Sequence, residues 1–544
     1  MDKPFAITLD PGSSLANKTG SWRTQRPVYV DRLPPCNAQC PAGEDIQGWL
    51  FHAESGDYEA AWRHLTRDNP FPAIMGRVCY HTCESVCNRG KLDEAVGINS
   101  VERFLGDEAL KRGWCFDPPA SESGKKVLIV GAGPSGMSAA YHLRRLGHRV
   151  AVIEAGPKLG GMMRFGIPKY RLPRDVLDAE MQRIVAMGVQ VTLNRKVDSI
   201  EQAMRGFDAA FLAVGAHIAR RAFIPAKDSS RILDAVSVLR SMEGADRPLL
   251  GRRVVVYGGG NTALDVARTA KRLGATEAVI VYRRTRERMP AHDFEVEEAL
   301  EEGVMVKWLS TIKQAALDGS GGELTIEKMV LDAKGNPQPT GEFETLAADS
   351  LVLALGQDVD LSLLNGVPGL EMKDGVVQVD PATMMTGRAG LFAGGDMVPA
   401  ERNVTVAVGH GKRAARHIDA WLRGATLQPA PKHALATFER LNTWYYSDAP
   451  KTVRPQLDLA RRTSSFDEVQ GGLTEANALF EARRCLSCGN CFECDNCYGV
   501  CPDNAVIKLG PGKRFQFNYD YCKGCGVCVS ECPCGAIEMV NEDV

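Results

Sequence analysis

One stretch constrains the fold of this chain more than any other: residues 125–154, KKVLIVGAGPSGMSAAYHLRRLGHRVAVIE. Its apolar run at 127–130 predicts a buried parallel strand, a helical pattern follows, and a second strand at 150–153 ends on Glu154. Between the first strand and the helix stand three glycines with the spacing GxGxxG: Gly131, Gly133 and Gly136. The first allows a tight turn, the second lets the backbone approach a pyrophosphate, and the third lets helix and strand pack closely. Because Glu154 can accept bonds from ribose hydroxyls, the stretch predicts a dinucleotide-binding unit rather than an ordinary glycine-rich turn.

A second fingerprint of the same kind follows a predicted strand at 254–257. Its spacing is GxGxxA, and the candidate binding residues are Gly258, Gly260, Asn261, Thr262 and Ala263. The next strand, at 278–281, is followed by Arg283 and Arg284 where a carboxylate would otherwise hold a ribose diol. Two guanidinium groups favour a 2′-phosphate, which indicates NADP rather than NAD. The alternative is a solvated basic turn.

Further strands end on residues suited to close contact with a cofactor: 207–215 on Gly215, 349–356 on Gly356, and 391–396 on Gly395 and Asp396. An amphipathic helix that contains Gly409 follows the last of them. A carboxylate at a strand end and a helix N-terminus beside it would face the ligand of the first fingerprint. Gly161, in a Gly-Gly pair after Glu154, would let backbone approach the same ligand.

The order of these elements resembles that of two-dinucleotide, disulfide-reductase-like flavoproteins over residues 125–425: a first fingerprint, a second one inserted, and a Gly-Gly-Asp return. The resemblance implies an α/β fold of two Rossmann-like domains, with FAD in the first and NADP(H) in the second. Thioredoxin reductases among these proteins pass electrons to a CxxC dithiol beside the flavin. This chain has no cysteine from 116 to 484, so we expect electrons to leave through metal clusters or to a bound acceptor.

The 17 cysteines lie only towards the two ends of the chain, at 36–115 and at 485–534. Disulfide frameworks belong to small secreted domains, so metal ligation explains these thiols better. Cys79, Cys83 and Cys87 are spaced at i, i+4 and i+8, which predicts one helical face, with Cys36 and Cys40 returning from a distance. Thiolates are the usual ligands of iron–sulfur clusters. The alternatives are buried structural cysteines or a zinc site.

This N-terminal block resembles the iron–sulfur domain of glutamate synthase small subunits and dihydropyrimidine dehydrogenases, through the segments CPAGEDI, DNPFP, GRVC and INSVERF. The resemblance implies one [4Fe–4S] cluster on four residues: Cys40, Cys79, Cys83 and Glu102. A second cluster of that family uses an upstream CxxC with the equivalents of Cys36 and Cys87. No cysteine precedes Cys36 here, so we expect one N-terminal cluster, with Cys36 or Cys87 as alternatives to Glu102, and a lone thiol at Cys115.

The segment GGMMRFGIPKYRLP, at 160–173, also resembles the glutamate synthase small subunit. In that family the segment lies along the FAD. The resemblance therefore implies FAD contacts for Arg164 and Arg171.

The C-terminal cysteines form two runs of the pattern CxxCxxCxxxCP. This is the spacing of two-cluster bacterial ferredoxins, in which the fourth cysteine of each run ligates the other cluster. We therefore expect two [4Fe–4S] clusters, one on Cys491, Cys494, Cys497 and Cys532, the other on Cys522, Cys525, Cys528 and Cys501. Cys485, Cys488 and Cys534 are left over. The alternatives are zinc knuckles or a register shift to 485, 488 and 491.

Outside its cysteines, this tail resembles the delta subunit of 2-oxoacid:ferredoxin oxidoreductases, through YDYCKGCGVC and GAIEM. The resemblance implies a thiamine-diphosphate 2-oxoacid oxidoreductase as partner, one that acts on 2-oxoglutarate or pyruvate. The chain itself shows no GDG…N thiamine-diphosphate signature, so that chemistry would lie on other subunits.

Charge and hydropathy exclude several other classes. The net charge of −2 gives no nucleic-acid footprint. No apolar run approaches the roughly 20 residues that span a bilayer, and the start MDKPFAITLDPGSSL lacks a signal-peptide pattern. We therefore expect a soluble, cytoplasmic protein.

We expect six segments along the chain: a helical iron–sulfur domain at 1–120 that starts with an irregular arm at 1–30, a first FAD-binding part at 125–250, an NADP-binding domain at 251–357, a second FAD-binding part at 358–425, a connector at 426–484, and a ferredoxin-like domain at 485–544. Together they predict an NADP-linked, FAD-dependent iron–sulfur oxidoreductase, acting as the electron-transfer subunit of a 2-oxoacid oxidoreductase complex. The cofactors carry the chemistry, so no catalytic side chain is expected. Two alternatives are a glutamate synthase small subunit or dihydropyrimidine dehydrogenase partner, and a free-standing NADPH:ferredoxin oxidoreductase.

Overall fold

The computed structural model describes residues 18–542 apart from 20, 22, 221–223, 226–230, 245–246, 319–320, 429–430 and 432. The N-terminal start that we compared with a signal peptide lies outside the described residues. Within the described part of the chain, no helix is long and apolar enough to cross a membrane.

The N-terminal domain is helical after one strand: β1 (Gln25–Tyr29), α1 (Pro35–Gln39), α2 (Ile46–Glu54), α3 (Tyr58–Leu65), α4 (Pro72–Val78), α5 (Thr82–Ser85) and α6 (Ile98–Lys111). Asp45 and Asp57 begin α2 and α3, since each side chain accepts a bond from a backbone N–H of the first turn. Trp49, Val101 and Leu105 pack into one buried core between these helices.

The first dinucleotide unit follows: β2 (Lys126–Val130), α7 (Pro134–Arg145), β3 (Arg149–Ile153), α8 (Met162–Phe165), α9 (Arg174–Val185), β4 (Gln190–Thr192), α10 (Ile200–Ala203), β5 (Ala209–Leu212) and β6 (Ile218–Ala219). The second unit contains β7 (Ile232–Asp234), α11 (Ala235–Ser241), β8 (Arg253–Tyr257), α12 (Asn261–Arg272), β9 (Glu277–Val281), α13 (Asp293–Glu301) and β10 (Met305–Lys307). Next come β11 (Ser310–Asp318), β12 (Gly321–Leu331), β13 (Pro337–Ala348), β14 (Ser350–Leu353), β15 (Gln357–Asp358), β16 (Met372–Lys373), β17 (Val376–Val377), β18 (Leu391–Ala393) and α14 (Val404–Leu422).

Two five-stranded parallel sheets organise these elements, with the orders β18-β5-β2-β3-β4 and β10-β9-β8-β14-β7. The antiparallel sheet β11-β12-β13 packs against the second of them. The four strands that we predicted around the two fingerprints begin one residue earlier than expected and end where expected. β7 pairs with β14, so residues 232–234 belong to the second sheet rather than to the first FAD-binding part.

The chain ends with α15 (Leu459–Ser464), α16 (Glu475–Ala482), α17 (Asn496–Gly499), β19 (Val506–Lys508), β20 (Phe515–Phe517), α18 (Val527–Ser530) and β21 (Ile537–Asn541). β1 pairs antiparallel with β21, from Gln25 opposite Asn541 to Tyr29 opposite Ile537. Residues 25–29 are therefore a strand of the C-terminal domain rather than part of an irregular arm. The two cysteine-rich ends of the chain are held together by backbone pairing.

A buried ion cluster fastens the connector to the second dinucleotide unit. Glu302, just after α13, accepts bonds from Arg268 (2.7 and 2.9 Å), Arg272 (2.6 and 2.9 Å) and Arg462 of α15 (3.2 Å). Burial opposes the ionisation of Glu302, but the hydrogen bonds from Arg272 and Arg268 outweigh it and lower the pKa of this carboxyl to about 2. The carboxylate thus stays charged and unites helices from two segments.

Replacing Glu302 by Gln should lower the free energy of unfolding by about 3–5 kcal/mol, because buried guanidinium groups lose their shared carboxylate. In the wild type this stabilisation is complete above the ordinary pKa of 4.5 and is lost as the pH falls towards 2. Denaturant unfolding at neutral pH measures the loss. The control Glu342→Gln removes an exposed pair with Lys328 and should cost less than about 1 kcal/mol. Equal losses in the two variants would contradict the assignment.

Candidate functional site

The three glycines of the first fingerprint have different surroundings. Gly131 has φ +104°, and a Cβ there would lie 2.3 Å from the carbonyl oxygen of Ala213. A Cβ on Gly136 would lie 2.0 Å from the carbonyl oxygen of Gly131. The nearest atom to a Cβ on Gly133, the Cα of Gly161, is 3.9 Å away. The fold therefore requires glycine at 131 and 136, whereas Gly133 faces open space.

Gly133 lines a cleft that both dinucleotide units and the N-terminal domain enclose, with a volume of about 300 Å³. Its walls include eight of the predicted residues: Gly133, Gly161, Arg171, Gly215, Asn261, Thr262, Gly395 and Asp396. Helix α14 begins at the same cleft, where the side chain of Asn403 caps it by accepting a bond from the Val406 N–H. A ligand here would meet open backbone and a helix N-terminus together.

Two polar groups of the cleft indicate a polar ligand. Ser135 Oγ is buried and has no hydrogen-bond partner among the described residues, although such groups are normally satisfied. Burial raises the pKa of Asp396 to about 6, against the opposing charge of Arg402. A second cavity at the other end of the fingerprint contains Glu154, whose carboxylate accepts bonds of 2.7 Å from the backbone of Ala132 and Gly156. The unpaired hydroxyl of Ser135, the open backbone at Gly133 and the carboxylate of Glu154 at the strand end fit a flavin dinucleotide.

The two arginines that we expected along the FAD have different positions. Arg171 lines the cleft and pairs with Asp265 of α12 (2.9 Å) and with Glu295 of α13. Arg164 is buried beneath the loop: its Nε donates to the carbonyl of Leu159 (2.7 Å), and it pairs with Asp178. Arg164 therefore stabilises the loop that carries Gly160 and Gly161 through its bond to Leu159. Arg171 joins the two dinucleotide units at the cleft.

The second fingerprint repeats the pattern of the first. A Cβ on Gly258 would lie 2.2 Å from the carbonyl of Ala354, whereas one on Gly260 would have no atom within 4 Å. Ala263 is buried in the core of this unit, and Gly356, with φ +105°, lies beside Arg220 and outside the walls of the cleft. The opening at Gly260 leaves room for a second dinucleotide.

Beside this fingerprint, Arg283 is exposed and Arg284 is half-buried. Neither has a carboxylate partner among the residues that the structure describes. Their neighbour Arg286 differs, because it lies 3.7 Å from Asp293 and 3.6 Å from Glu297. Two uncompensated guanidinium groups thus border the strand end where we expected a 2′-phosphate.

Gly409 lies away from the cleft. It falls in the second turn of α14, and a Cβ there would lie 2.1 Å from the carbonyl oxygen of Pro41. We expected it to contact the flavin because it follows the Gly-Gly-Asp segment. The helix begins five residues earlier, at Val404, so Gly409 instead lets α14 pack on the N-terminal domain.

Three cysteines and one acid of the N-terminal domain lie together, and we call them the inner group: Cys40, Cys79, Cys83 and Glu102. Cys83 interacts electrostatically with the other three. Cys79 Sγ accepts bonds of 3.2 Å from the Thr405 hydroxyl of α14 and from the His81 N–H. Because Val78 and Tyr80 line the cleft on either side of Cys79, the inner group adjoins the dinucleotide cleft.

Cys36 and Cys87 do not join the inner group. The single helical face that we expected is absent, because α4 ends at Val78 and His81 takes φ +40° before α5. The chain turns there and carries Cys87 away from Cys79. Cys36 interacts electrostatically with Cys87 and with both cysteines of a CxxC from the far end of the chain. We call these four the junction group: Cys36, Cys87, Cys485 and Cys488.

The ferredoxin-like domain shows the crossed grouping that its spacing suggests. Cys497 interacts with Cys491, Cys494 and Cys532, and we call these four cysteines the proximal ferredoxin group. Cys528 interacts with Cys501, Cys522 and Cys525, and we call these four cysteines the distal ferredoxin group. Cys528 also interacts with Cys497 of the proximal ferredoxin group. Of the remaining thiols, Cys534 lies 3.7 Å from Cys532, and Cys115 is exposed. No three Cys, His, Asp or Glu side chains of the described residues converge as the ligands of a single metal ion do.

Several residues at these sites were missed from the sequence. Tyr80 lines the cleft, its ring is stacked on that of His292 at 3.6 Å, and its hydroxyl accepts a 2.5 Å bond from Asn261. Nothing in the sequence around Thr405 indicates a contact with Cys79, except that the residue lies near the start of α14. Tyr446 interacts with cysteines of the junction and proximal ferredoxin groups, but no chemistry was expected of its segment. Only adjacency to Cys79 marks Tyr80 in the sequence.

Two parallel-sheet units with one dinucleotide fingerprint each, joined to cysteine-rich domains at both ends, define an FAD- and NADP-dependent iron–sulfur oxidoreductase. The pyridine nucleotide-disulphide oxidoreductase family matches residues 125–411, and the chain belongs to that family. The 4Fe-4S family of dihydropyrimidine dehydrogenase domain II matches residues 23–114, and the 4Fe-4S binding domain family matches residues 515–538. The expected fold class is confirmed.

Curated relatives agree with this class. The chain is 37% identical to the beta subunit of an NADP(+)-dependent formate dehydrogenase from Moorella thermoacetica, over 83% of this chain and 70% of that one. It is 32% identical to the beta subunit of an NADPH-Fe(3+) oxidoreductase from Geobacter sulfurreducens, over 84% and 75%. It is also 31% identical to the glutamate synthase [NADPH] small chain of Escherichia coli, over 72% and 89%. The resemblance to glutamate synthase small subunits is thereby confirmed.

Proposed function

We propose that this chain is the electron-transfer subunit of a larger complex, exchanging electrons between NADP(H) and a partner through FAD and iron–sulfur clusters. The observation that carries the proposal is the position of the inner group. Cys79 lies between two residues that line the dinucleotide cleft, and its sulfur accepts a bond from Thr405 of the helix that begins there. A cysteine-bound centre thus adjoins the site where the flavin binds.

FAD, when bound, supplies the exchange between two-electron hydride transfer and single-electron transfer. The residues of the chain would bind and orient it: Gly133 and Gly161 would admit the pyrophosphate to the backbone, and Glu154 would offer its carboxylate to a ribose. Asp396 and the N-terminus of α14 border the same cleft. Tyr80, stacked on His292 at 3.6 Å, lines the same cleft. The inner group and the two ferredoxin groups would provide four ligands each for [4Fe–4S] clusters.

Arg283 and Arg284 are proposed to hold the 2′-phosphate of NADP. The double variant Arg283→Gln/Arg284→Gln should raise the KM for NADPH by about 10–100-fold, since a hydrogen bond to a charged group contributes about 1.5–3 kcal/mol, and should change the KM for NADH little. Steady-state reduction of a dye with each nucleotide measures both values. The control Arg423→Gln removes an exposed guanidinium at the end of α14. An unchanged preference for NADPH in the double variant would reject the assignment.

The partner is proposed to be a thiamine-diphosphate 2-oxoacid oxidoreductase acting on 2-oxoglutarate or pyruvate. Support comes from the tail segments YDYCKGCGVC and GAIEM, and from relatives that are subunits of other oxidoreductases. The test is anaerobic isolation of the native complex, followed by NADP⁺ reduction with 2-oxoglutarate or pyruvate and coenzyme A. Co-purified 2-oxoacid oxidoreductase subunits and coenzyme A-dependent reduction are expected.

Three other results would replace this partner. NADP⁺ reduction by formate would assign a formate dehydrogenase, as in the Moorella relative. NADPH oxidation that requires glutamine, 2-oxoglutarate and a large subunit would assign a glutamate synthase. Reduction of soluble ferredoxin by the isolated chain, with no co-purified subunit, would assign a free-standing oxidoreductase.

A further inference from the structure

We infer that the junction group binds a further [4Fe–4S] cluster, whose ligands come from both ends of the chain. Two of them, Cys36 and Cys87, belong to the N-terminal domain, and the other two form the CxxC of Cys485 and Cys488. The cysteine spacing alone leaves that CxxC without a role and predicts a single N-terminal cluster. The inference rests on the proposed function only for the claim that the other three groups also bind clusters.

The four thiols of the junction group lie together: Cys36, Cys87 and Cys485 pack against the same hydrophobic core, and Asn88, the residue after Cys87, donates a 3.4 Å bond to Cys488 Sγ. Cys36 interacts electrostatically with Cys87, Cys485 and Cys488. Cys485 interacts with Cys87 and Cys488, and Cys488 interacts with Cys87. A buried cysteine that only packs behaves as a small apolar residue and needs no second thiol beside it. Four partly buried thiols drawn from three separate segments instead give the ligand number of one cubane cluster.

The residues just before the CxxC anchor it on the N-terminal domain. α16 packs into the same core as α2 and α6, through Ala478 and Ala482. Glu481 accepts a 2.7 Å bond from the Gly97 N–H, and the guanidinium of Arg484 donates to the carbonyls of Ala95 (3.0 Å) and Glu94 (2.6 Å). The side chains of Glu481 and Arg484 are buried and paired with each other. The backbone just before Cys485 is therefore held in place on the N-terminal domain.

The residues just after the CxxC anchor it a second time. The carbonyl of Gly489 accepts a 3.1 Å bond from the Arg32 N–H. The amide of Asn490 donates to the carbonyl of Arg32 (3.0 Å) and to the side chain of Gln47 (2.6 Å). The CxxC is thus held on both sides by the domain that carries Cys36 and Cys87, which fixes all four thiols in one place.

Donors and positive charge surround these sulfurs. The amide of Asn88 donates to Cys488 Sγ (3.4 Å), and the guanidinium of Arg89 interacts with Cys87. Arg89 also donates to the carbonyl of Arg484 (3.4 Å), which places it between the two contributing segments. Such donors and charges stabilise an anionic cluster and tune its potential.

The junction group lies between the inner group and the proximal ferredoxin group. Cys36 lies in α1 and Cys40 ends it, so one short helix links the junction and inner groups. Cys488 is three residues from Cys491 of the proximal ferredoxin group. Tyr446 lies close to both groups: its hydroxyl donates to the carbonyl of Leu486 (3.1 Å), and burial together with the Cys534, Cys485, Cys488 and Cys494 thiols raises its pKa. The four groups then form one continuous series from the cleft to the end of the tail.

Iron, acid-labile sulfide and FAD per chain, measured on anaerobically purified holoenzyme, test the inference. Four cubane clusters give about 16 iron per chain, whereas three give about 12. Cys485→Ser and Cys488→Ser should each lose about four iron and keep their FAD. The matched control Cys115→Ser removes an exposed thiol and should keep all of its iron.

The inference is overturned by about 12 iron in the wild type with no change in either serine variant. One zinc and about 12 iron per chain would also overturn it, because the junction group would then hold a single ion. If both serine variants misfold, the iron count and the Mössbauer spectrum of the wild type decide alone. The loss of about four iron in the serine variants does not depend on the partner, on NADPH or on the other three groups, so a wrong proposed function would leave that loss unchanged.

Discussion

Gly133→Val is expected to give a folded protein that does not retain FAD. A Cβ at 133 meets no protein atom closer than 3.9 Å, and the residue has an ordinary φ of −76°, so the backbone and packing there accept a side chain. The same side chain would occupy the cleft where the pyrophosphate must approach the backbone. Overpacking of this kind costs about 1–3 kcal/mol, and the lost backbone contacts add to it, so FAD affinity should fall at least about 10–100-fold. Extracted FAD per chain measures the loss.

Gly260→Val is the matched variant, because position 260 has the same features in the second fingerprint: φ −90° and no atom within 4 Å of a Cβ. It should keep FAD and lose reduction by NADPH, while dithionite still reduces the flavin. Gly136→Ala should instead fail to fold, since its Cβ would meet a backbone oxygen at 2.0 Å. FAD loss in Gly260→Val, or full FAD in Gly133→Val, would contradict the assignment of the two fingerprints.

The central fold could be predicted because its signals are local. Each fingerprint packs a strand, a turn that needs glycine and a helix into one short stretch, and the apolar strands leave little freedom of register. The structure places the strands around Gly131 and Gly258 within one residue of their expected bounds. The crossed grouping of the ferredoxin cysteines was accessible for the same reason, since a short repeated spacing carries it.

The junction group could not be predicted, because its members are brought together by packing between distant segments. Nothing near Cys485 in the sequence indicates that Glu481 and Arg484 will bind the backbone of residues 94–97. The pairing of β1 with β21 joins the same two ends, and it too is invisible to local periodicity. The spacing of Cys79 and Cys87 is misleading by itself: it suits one helix, but the left-handed turn at His81 divides it.

Cys79→Ser is expected to separate the two halves of the electron-transfer reaction. NADPH should still bleach the flavin, because the cleft keeps both fingerprints, but it should no longer reduce the ferredoxin-domain clusters. The physical reason is the position of Cys79, beside the cleft and bound to Thr405 of α14. Electron paramagnetic resonance after NADPH addition should show no ferredoxin-type signal, and dithionite should restore it. Cys115→Ser is the control for loss of a thiol as such.

Thr405→Val tests the same contact without removing a ligand. The valine keeps the shape of the buried side chain and deletes the hydroxyl that donates to Cys79 Sγ at 3.2 Å. Losing a hydrogen bond to a cluster sulfur lowers the reduction potential, so NADPH should reduce the inner cluster less completely at equilibrium, with FAD content unchanged. Redox titration followed by electron paramagnetic resonance measures the shift. If NADPH reduces the ferredoxin clusters of Cys79→Ser as fast as those of the wild type, the inner group does not lie on the path between the flavin and the tail.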